Sequence, residues 1–162
     1  MRKLIALALV AAVSPMFAGD GNHASASATA GVNLYAPVKI SKVQDLSFGA
    51  VVVNDTANAL SLLLNLDGTV TYTNGVALIG ANAKAAQVAK FGFTKDSTLT
   101  VAWTIPTTVE LGTGVNWTVQ SSITGDGTTS TAGTVTLYGT LVADAGKTGA
   151  FEKEFNVSVN YN

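Results

Sequence analysis

Few side chains in this 162-residue sequence are of types that do chemistry, and their spacing works against it. The sole histidine, His23, precedes the patterned part of the chain. A Ser/His/Asp triad therefore has no base within the fold, and a site built on several histidines is impossible. Cysteine is absent, which removes thiolate metal sites, cysteine nucleophiles and disulfides together. Gly146-Lys147-Thr148 has the ending of a phosphate-binding loop. The first glycine of such a loop would stand at Leu141, and a strand pattern follows where a helix is required. Glu110, Asp126 and Asp144 are candidate acids for glycoside hydrolysis, which needs two carboxyls across a cleft. All three lie near turn signals, where acids ordinarily cap turns or face water. Asp126 stands between Gly125 and Gly127 without the dense Asp/Asn set of a calcium loop. Trp103 and Trp117 would make a sugar-stacking platform on a surface, but both alternate with Val and Ile and are expected in a core. Glu154-Phe155-Asn156-Val157-Ser158 has the form of a bacterial N-glycosylation acceptor. It falls in an expected strand and is read there as coincidence. The sequence thus points to no catalytic, cofactor-binding or metal-binding residue, and the chain is expected not to be an enzyme.

The first eighteen residues have the pattern of a signal peptide: Arg2 and Lys3, an apolar run from Leu4 to Val13, then Pro15 and Ala18. Ten apolar residues are too few to span a bilayer, which takes about 20. Without residues 1–18 the chain keeps seven lysines against ten carboxylates, a net charge of −3. Nucleic-acid binding needs clustered cationic side chains, so that class is not expected.

The elements that must position any site are strands. Leu99, Val101, Trp103 and Ile105 alternate with small or polar residues, as do Val115, Trp117 and Val119, and Val135, Leu137 and Leu141. At the end of the chain Phe151, Phe155, Val157, Val159 and Tyr161 share one face, interrupted by Lys153. Turn signals separate the runs, and Asp67-Gly68 and Asn74-Gly75 are the strongest hairpin cues. Leu60 to Leu66 is a nearly continuous apolar run, read as a strand buried on both faces or one exposing a hydrophobic groove. The alanine-rich stretch Ala81 to Ala89 predicts one or two helical turns. Strands recurring about every ten residues predict an immunoglobulin-like, Greek-key β-sandwich of seven to nine strands.

The stretch after the leader is the most informative. Ala24, Ala26, Ala28, Ala30, Val32, Leu34, Ala36, Val38 and Ile40 occupy successive even positions, with mostly small polar residues between them. Seventeen residues extend about 56 Å at ~3.3 Å each, more than one small domain ordinarily pairs. Pro37 cannot donate a ladder hydrogen bond and offers a division. We therefore expect an N-terminal arm over residues 19–35, and a sandwich over residues 36–162 whose first strand runs from Ala36 to Val43. The simpler alternative makes the whole stretch the domain's own first strand.

Two resemblances follow from these residues. Ala36-Pro37-Val38-Lys39-Ile40-Ser41-Lys42, then Asp45-Leu46-Ser47-Phe48-Gly49, resembles the opening of an uncharacterised family of exported bacterial β proteins. The likeness continues through Gly68-Thr69-Val70-Thr71 to Phe155-Asn156-Val157-Ser158-Val159-Asn160-Tyr161. That family implies no activity. The C-terminus resembles that of chaperone–usher pilus subunits, which close on an alternating strand with a penultimate aromatic and a glycine fourteen residues from the end. Here these are Tyr161 and Gly149, with Phe155, Val157 and Val159 between them. The resemblance implies an incomplete sandwich, filled first by a periplasmic chaperone and then by a neighbour's arm at an outer-membrane usher. On it, residues 24–34 would be donated beside residues 151–161 of the next copy, in a head-to-tail polymer at the cell surface. The alternative reading is a monomeric extracellular module that binds carbohydrate or mediates adhesion.

Overall fold

The period-2 runs become strands, and no helix forms among the described residues. The computed structural model describes residues 26–79 and 83–162. The signal-peptide segment, Ala24 of the arm and the first two residues of the expected helix lie outside them. The chain divides between Tyr35 and Ala36 into two units. In the first, residues 26–35 form no strand and their side chains are exposed, Val32 by 67% and Leu34 by 85%.

The second unit holds thirteen strands among the described residues. In chain order they are β1 Lys39–Gln44, β2 Ser47–Phe48, β3 Val51–Val53, β4 Leu60–Leu64, β5 Val70–Thr73, β6 Gly75–Ala77 and β7 Ala86–Gln87. Then come β8 Ala89–Thr94, β9 Val101–Thr104, β10 Thr108–Gly112, β11 Val115–Thr124, β12 Ala132–Ala143 and β13 Ser158–Tyr161. Seven form one antiparallel sheet in the order β1-β8-β12-β11-β10, with β4 on β12 and β5 on β4. The twelve-residue β12 is long enough to hold two neighbours in succession: Ala132 to Leu137 pair with β8, and Gly139 to Ala143 pair with β4. Gly139 stands at that change of partner with φ +129°, where a Cβ would collide with the Thr118 carbonyl.

The sheet's inner face is the core. Leu62, Leu141 and Trp117 are cross-strand neighbours in one row, and Leu62 and Trp117 are wholly buried. Three two-stranded pieces cover that face: β9–β13, β2–β7 and β3–β6. Phe48 of β2 meets Trp117 edge-on at 6.1 Å, and Trp103 of β9 meets Phe93 of β8 edge-on at 4.8 Å. Two layers of antiparallel strands with aromatic contacts between them make a β-sandwich.

Several expectations need correction. The strand count exceeds nine because the covering layer is broken into short pieces. No helix forms over residues 83–89. Ala86 and Gln87 pair with β2, and Ala89 opens β8 opposite Leu137, where a small side chain suits a buried strand position. Asn74-Gly75 is not a hairpin. β5 belongs to the large sheet and β6 to the small β3–β6 pair, so the chain changes layer there. Asn74 makes the bend at φ +59°, and its side-chain amide donates to the Asp55 carbonyl at 2.7 Å and the Asn58 carbonyl at 3.0 Å. Asp67-Gly68 does close a hairpin, with Leu64 opposite Val70. The leucine run alternates: Leu60, Leu62 and Leu64 point inward and Leu63 outward. The first strand begins at Lys39 rather than Ala36.

Leu62 and Leu63 are adjacent in sequence and opposite in consequence. Leu62→Ala should cost about 2–5 kcal/mol in a denaturant titration. Leu63→Ala, at 37% exposure, should cost under about 1 kcal/mol.

Candidate functional site

The expected strand over residues 151–161 is hydrogen-bonded only at its end. β13 pairs with β9 from Ser158↔Thr104 to Tyr161↔Val101. The amide of Asn162 donates to the Thr100 carbonyl at 3.2 Å, so the hydrogen-bonded rungs are 162, 160 and 158. The next rung in this register would set Asn156 against Pro106. Proline has no amide hydrogen to give, and the ladder stops. Upstream of that point, residues 148–157 make no backbone hydrogen bond to any described residue. Their alternation nevertheless persists in burial: Phe151, Phe155 and Val157 are half-buried, while Glu152, Glu154 and Asn156 are exposed. Phe155 packs edge-on against Trp117 at 5.1 Å and Phe91 at 6.3 Å. Side chains are thus seated on the core while the main chain beside them pairs with no described residue.

A groove lies along this segment. It encloses about 960 Å³, near the top of the ~300–1,000 Å³ range of ordinary ligand sites. One wall is Asp45 to Val51 and the other is Lys147 to Phe155. Leu60, Leu62, Leu111, Val115 and Leu141 of the large sheet line it from below. Its charged lining residues balance: Asp45, Glu152 and Glu154 against Lys84, Lys147 and Lys153. Asp45 is already engaged by Lys42 at 2.8 Å. Gly149 enters the second wall at φ +121°, a backbone region closed to other residues, with nothing within 4 Å of where its Cβ would be.

Tyr161 does something else. Its hydroxyl donates to the Ala36 carbonyl at 2.7 Å and accepts from the Asp96 amide at 2.6 Å. The Asp96 carboxylate accepts from the Thr98 amide at 2.9 Å, the Thr98 hydroxyl at 2.6 Å and the Ala36 amide at 3.4 Å. The first residue of the second unit is therefore fastened to the penultimate residue of the chain. The Thr98 hydroxyl, foremost, holds the Asp96 carboxyl below the usual carboxylate range, and the Thr69 hydroxyl does the same for Asp67.

Of the expected acceptor residues, Gly149 and Phe155 line the groove. Val157 is half-buried just beyond it, and Val159 is buried opposite Trp103. Tyr161 serves the clamp. Of the expected donor residues, Ala26, Ala28, Ala30, Val32 and Leu34 are exposed, and Ala24 lies outside the described residues. The opposite wall, Asp45 to Val51, was not expected. Its only sequence signal is the apolar Leu46, Phe48 and Val51 set around Gly49.

Among the described residues no three His, Asp or Glu side chains stand together as a metal site. Trp117 is fully buried and Trp103 packs on Phe93. Gly146 and Lys147 form a turn after β12, and Gly146 has φ +77°. No helix among the described residues is long and apolar enough to cross a membrane.

A family model described as a domain of unknown function, DUF4402, matches residues 38–161. The chain belongs to the DUF4402 family. No curated protein and no solved structure matches it. The DUF4402 match begins two residues after Ala36 and ends on Tyr161, so both walls of the groove lie within it.

The clamp yields two expectations for this DUF4402 domain. Tyr161→Phe strands one carbonyl and one amide and should cost about 1–2 kcal/mol by denaturant titration. Asp96, with its folded pKa depressed, adds stability that is complete above the ordinary aspartate value, about 3.9, and is lost as pH falls through the depressed value. Asp96→Asn should therefore be less stable than wild type at pH 7, and the gap should narrow in melts taken at progressively lower pH below about 3.9.

Proposed function

We propose that this chain is an exported, non-enzymatic structural subunit whose groove is completed by a β-strand from a second copy. The observation that carries the reading is the main chain of residues 148–157, unpaired among the described residues, set over apolar side chains and beside a groove of about 960 Å³. An incoming strand would meet both needs at once. Its backbone would pair with the free edge, and its alternate side chains would cover the floor.

The chemistry of the arm supports a second copy as the occupant. Residues 24–35 contain no charged side chain and carry an apolar residue at every even position to 34. A groove with balanced charges gives such a segment no electrostatic penalty. Val32 and Leu34 would contribute most, about 1.5–3 kcal/mol each if fully buried, and the alanines less. The signal-peptide pattern supports export, through the periplasm to the cell surface or beyond. On this reading the sandwich is of the immunoglobulin-like, strand-deficient kind. A chaperone strand holds the groove before assembly, and an outer-membrane usher is the place of exchange. Donation from copy to copy is heterologous and does not close, so the product is a filament.

The test is a mature protein lacking residues 19–35. It should run as a soluble monomer in light scattering and bind a synthetic peptide of residues 24–34 one to one, while the full mature chain forms head-to-tail oligomers. Leu34→Ala in the peptide should weaken binding about tenfold to a hundredfold. Raising salt from 0.05 to 0.5 M should change the affinity by no more than about threefold. Oligomers that persist without the arm would overturn the proposal. So would a monomeric full chain whose arm is protected from proteolysis, the mark of an arm folded into its own groove.

A further inference from the structure

The sequence holds three Asn-x-Ser/Thr triplets, at Asn54, Asn116 and Asn156, and they occupy different backbone environments. Asn116 lies within β11, paired on one side with Glu110 and on the other with Val142. The Asn54 amide donates to the Asn74 carbonyl at 3.2 Å at the end of β3. The Asn156 backbone carries no hydrogen bond to any described residue, and the β9–β13 register, if continued, would set it against Pro106, which has no amide hydrogen to give. Asn156 alone also has a carboxylate two residues before it, Glu154. The segment is extended and alternating, so Glu154, Asn156 and Ser158 project on one side, all exposed, while Phe155 and Val157 face the core. The expected strand that made this motif look coincidental is hydrogen-bonded only from Ser158 onward.

We infer that Asn156 is an acceptor for a bacterial N-linked glycan. An exported chain meets such transferases outside the cytoplasm, and acceptance requires the segment to be drawn into the enzyme. Residues 154–157 have no ladder to break among the described residues, so only the terminal Ser158 rung must open. In the transfer, the Asn156 side-chain nitrogen bonds to C1 of a lipid-diphosphate-linked oligosaccharide. The C1–oxygen bond to phosphate breaks, the electron pair leaves with the lipid diphosphate, and one amide proton passes to a carboxylate of the transferase. Ser158 presents the hydroxyl required two residues on, and Glu154 the acid required two residues before. Asn156 is not among the groove's lining residues, but its main chain belongs to the edge that an incoming strand would meet, so glycan addition would precede strand acceptance.

The full chain, with its own leader, would be expressed in a bacterium carrying an oligosaccharyltransferase and its lipid-linked oligosaccharide. The intact mass should rise by one glycan. Asn156→Gln and Glu154→Gln should each abolish the addition while keeping the wild-type melting profile, and Asn54→Gln and Asn116→Gln should retain it. An unmodified chain, in cells where a co-expressed acceptor protein is glycosylated, would sink the inference, as would a glycan mapped to Asn54 or Asn116.

Discussion

The β9–β13 ladder ends just short of Pro106, a residue with no amide hydrogen to give, and the free segment beyond it sets the character of the covering layer. Ladder pairing between β9 and β13 proceeds rung by rung from Asn162 until the register reaches that residue. Beyond it the chain still lies on the core, because Phe155 and Phe151 have aromatic and apolar seats. Hydrophobic seating and backbone pairing usually coincide in a sheet, since a strand satisfies both in one conformation. Here they separate over about ten residues. The segment is positioned by its side chains and leaves its polar main chain to other partners.

The rest of the covering layer follows the same division. β2–β7 and β3–β6 are two- and three-residue pairs, interrupted by Gly49 at φ +83°. Each piece reaches the large sheet through one or two apolar anchors, Phe48 on Trp117 being the clearest. The large sheet, by contrast, is continuous, with ten successive rungs between β11 and β12. One layer is thus a continuously paired scaffold. The other is a set of fragments around an opening, and the DUF4402 match spans both.

Much of this was legible in the residues. Alternation located the inward faces of β9, β11, β12 and the terminal segment, because a half-buried strand must repeat every two residues. The leucine run announced a strand, but not whether both of its faces are buried or one borders a groove; only one face is buried, and Leu60 and Leu62 line the groove. What the sequence concealed was register. Nothing local says that the β9–β13 register, if continued, would bring Pro106 to Asn156, fifty residues away, so the end of the ladder was invisible. Nor does Asn74-Gly75 state whether the strands it joins return to each other or part. The same left-handed residue serves both, and tertiary packing over Leu60 decides, since a Cβ at Gly75 would meet Leu60 Cδ1 at 2.6 Å. The alanines near position 85 carry helical propensity, but propensity is a weak preference and a buried sheet position overrode it. Tyr161 drew attention as the penultimate aromatic, but its part in the structure is played by the hydroxyl, which no periodicity encodes.

The fastening of Ala36 has a mechanical corollary. Tension along the polypeptide from its N-terminal side reaches the second unit at Ala36, whose amide and carbonyl are held by two separate segments, Asp96 and Tyr161. The load is divided at once between the β8–β9 connection and the terminal strand. Pulling there strains several bonds in concert and does not unzip β1 from its edge one rung at a time. A single phenolic oxygen thus acts as a strain relief, sited where the covalent chain enters the sandwich.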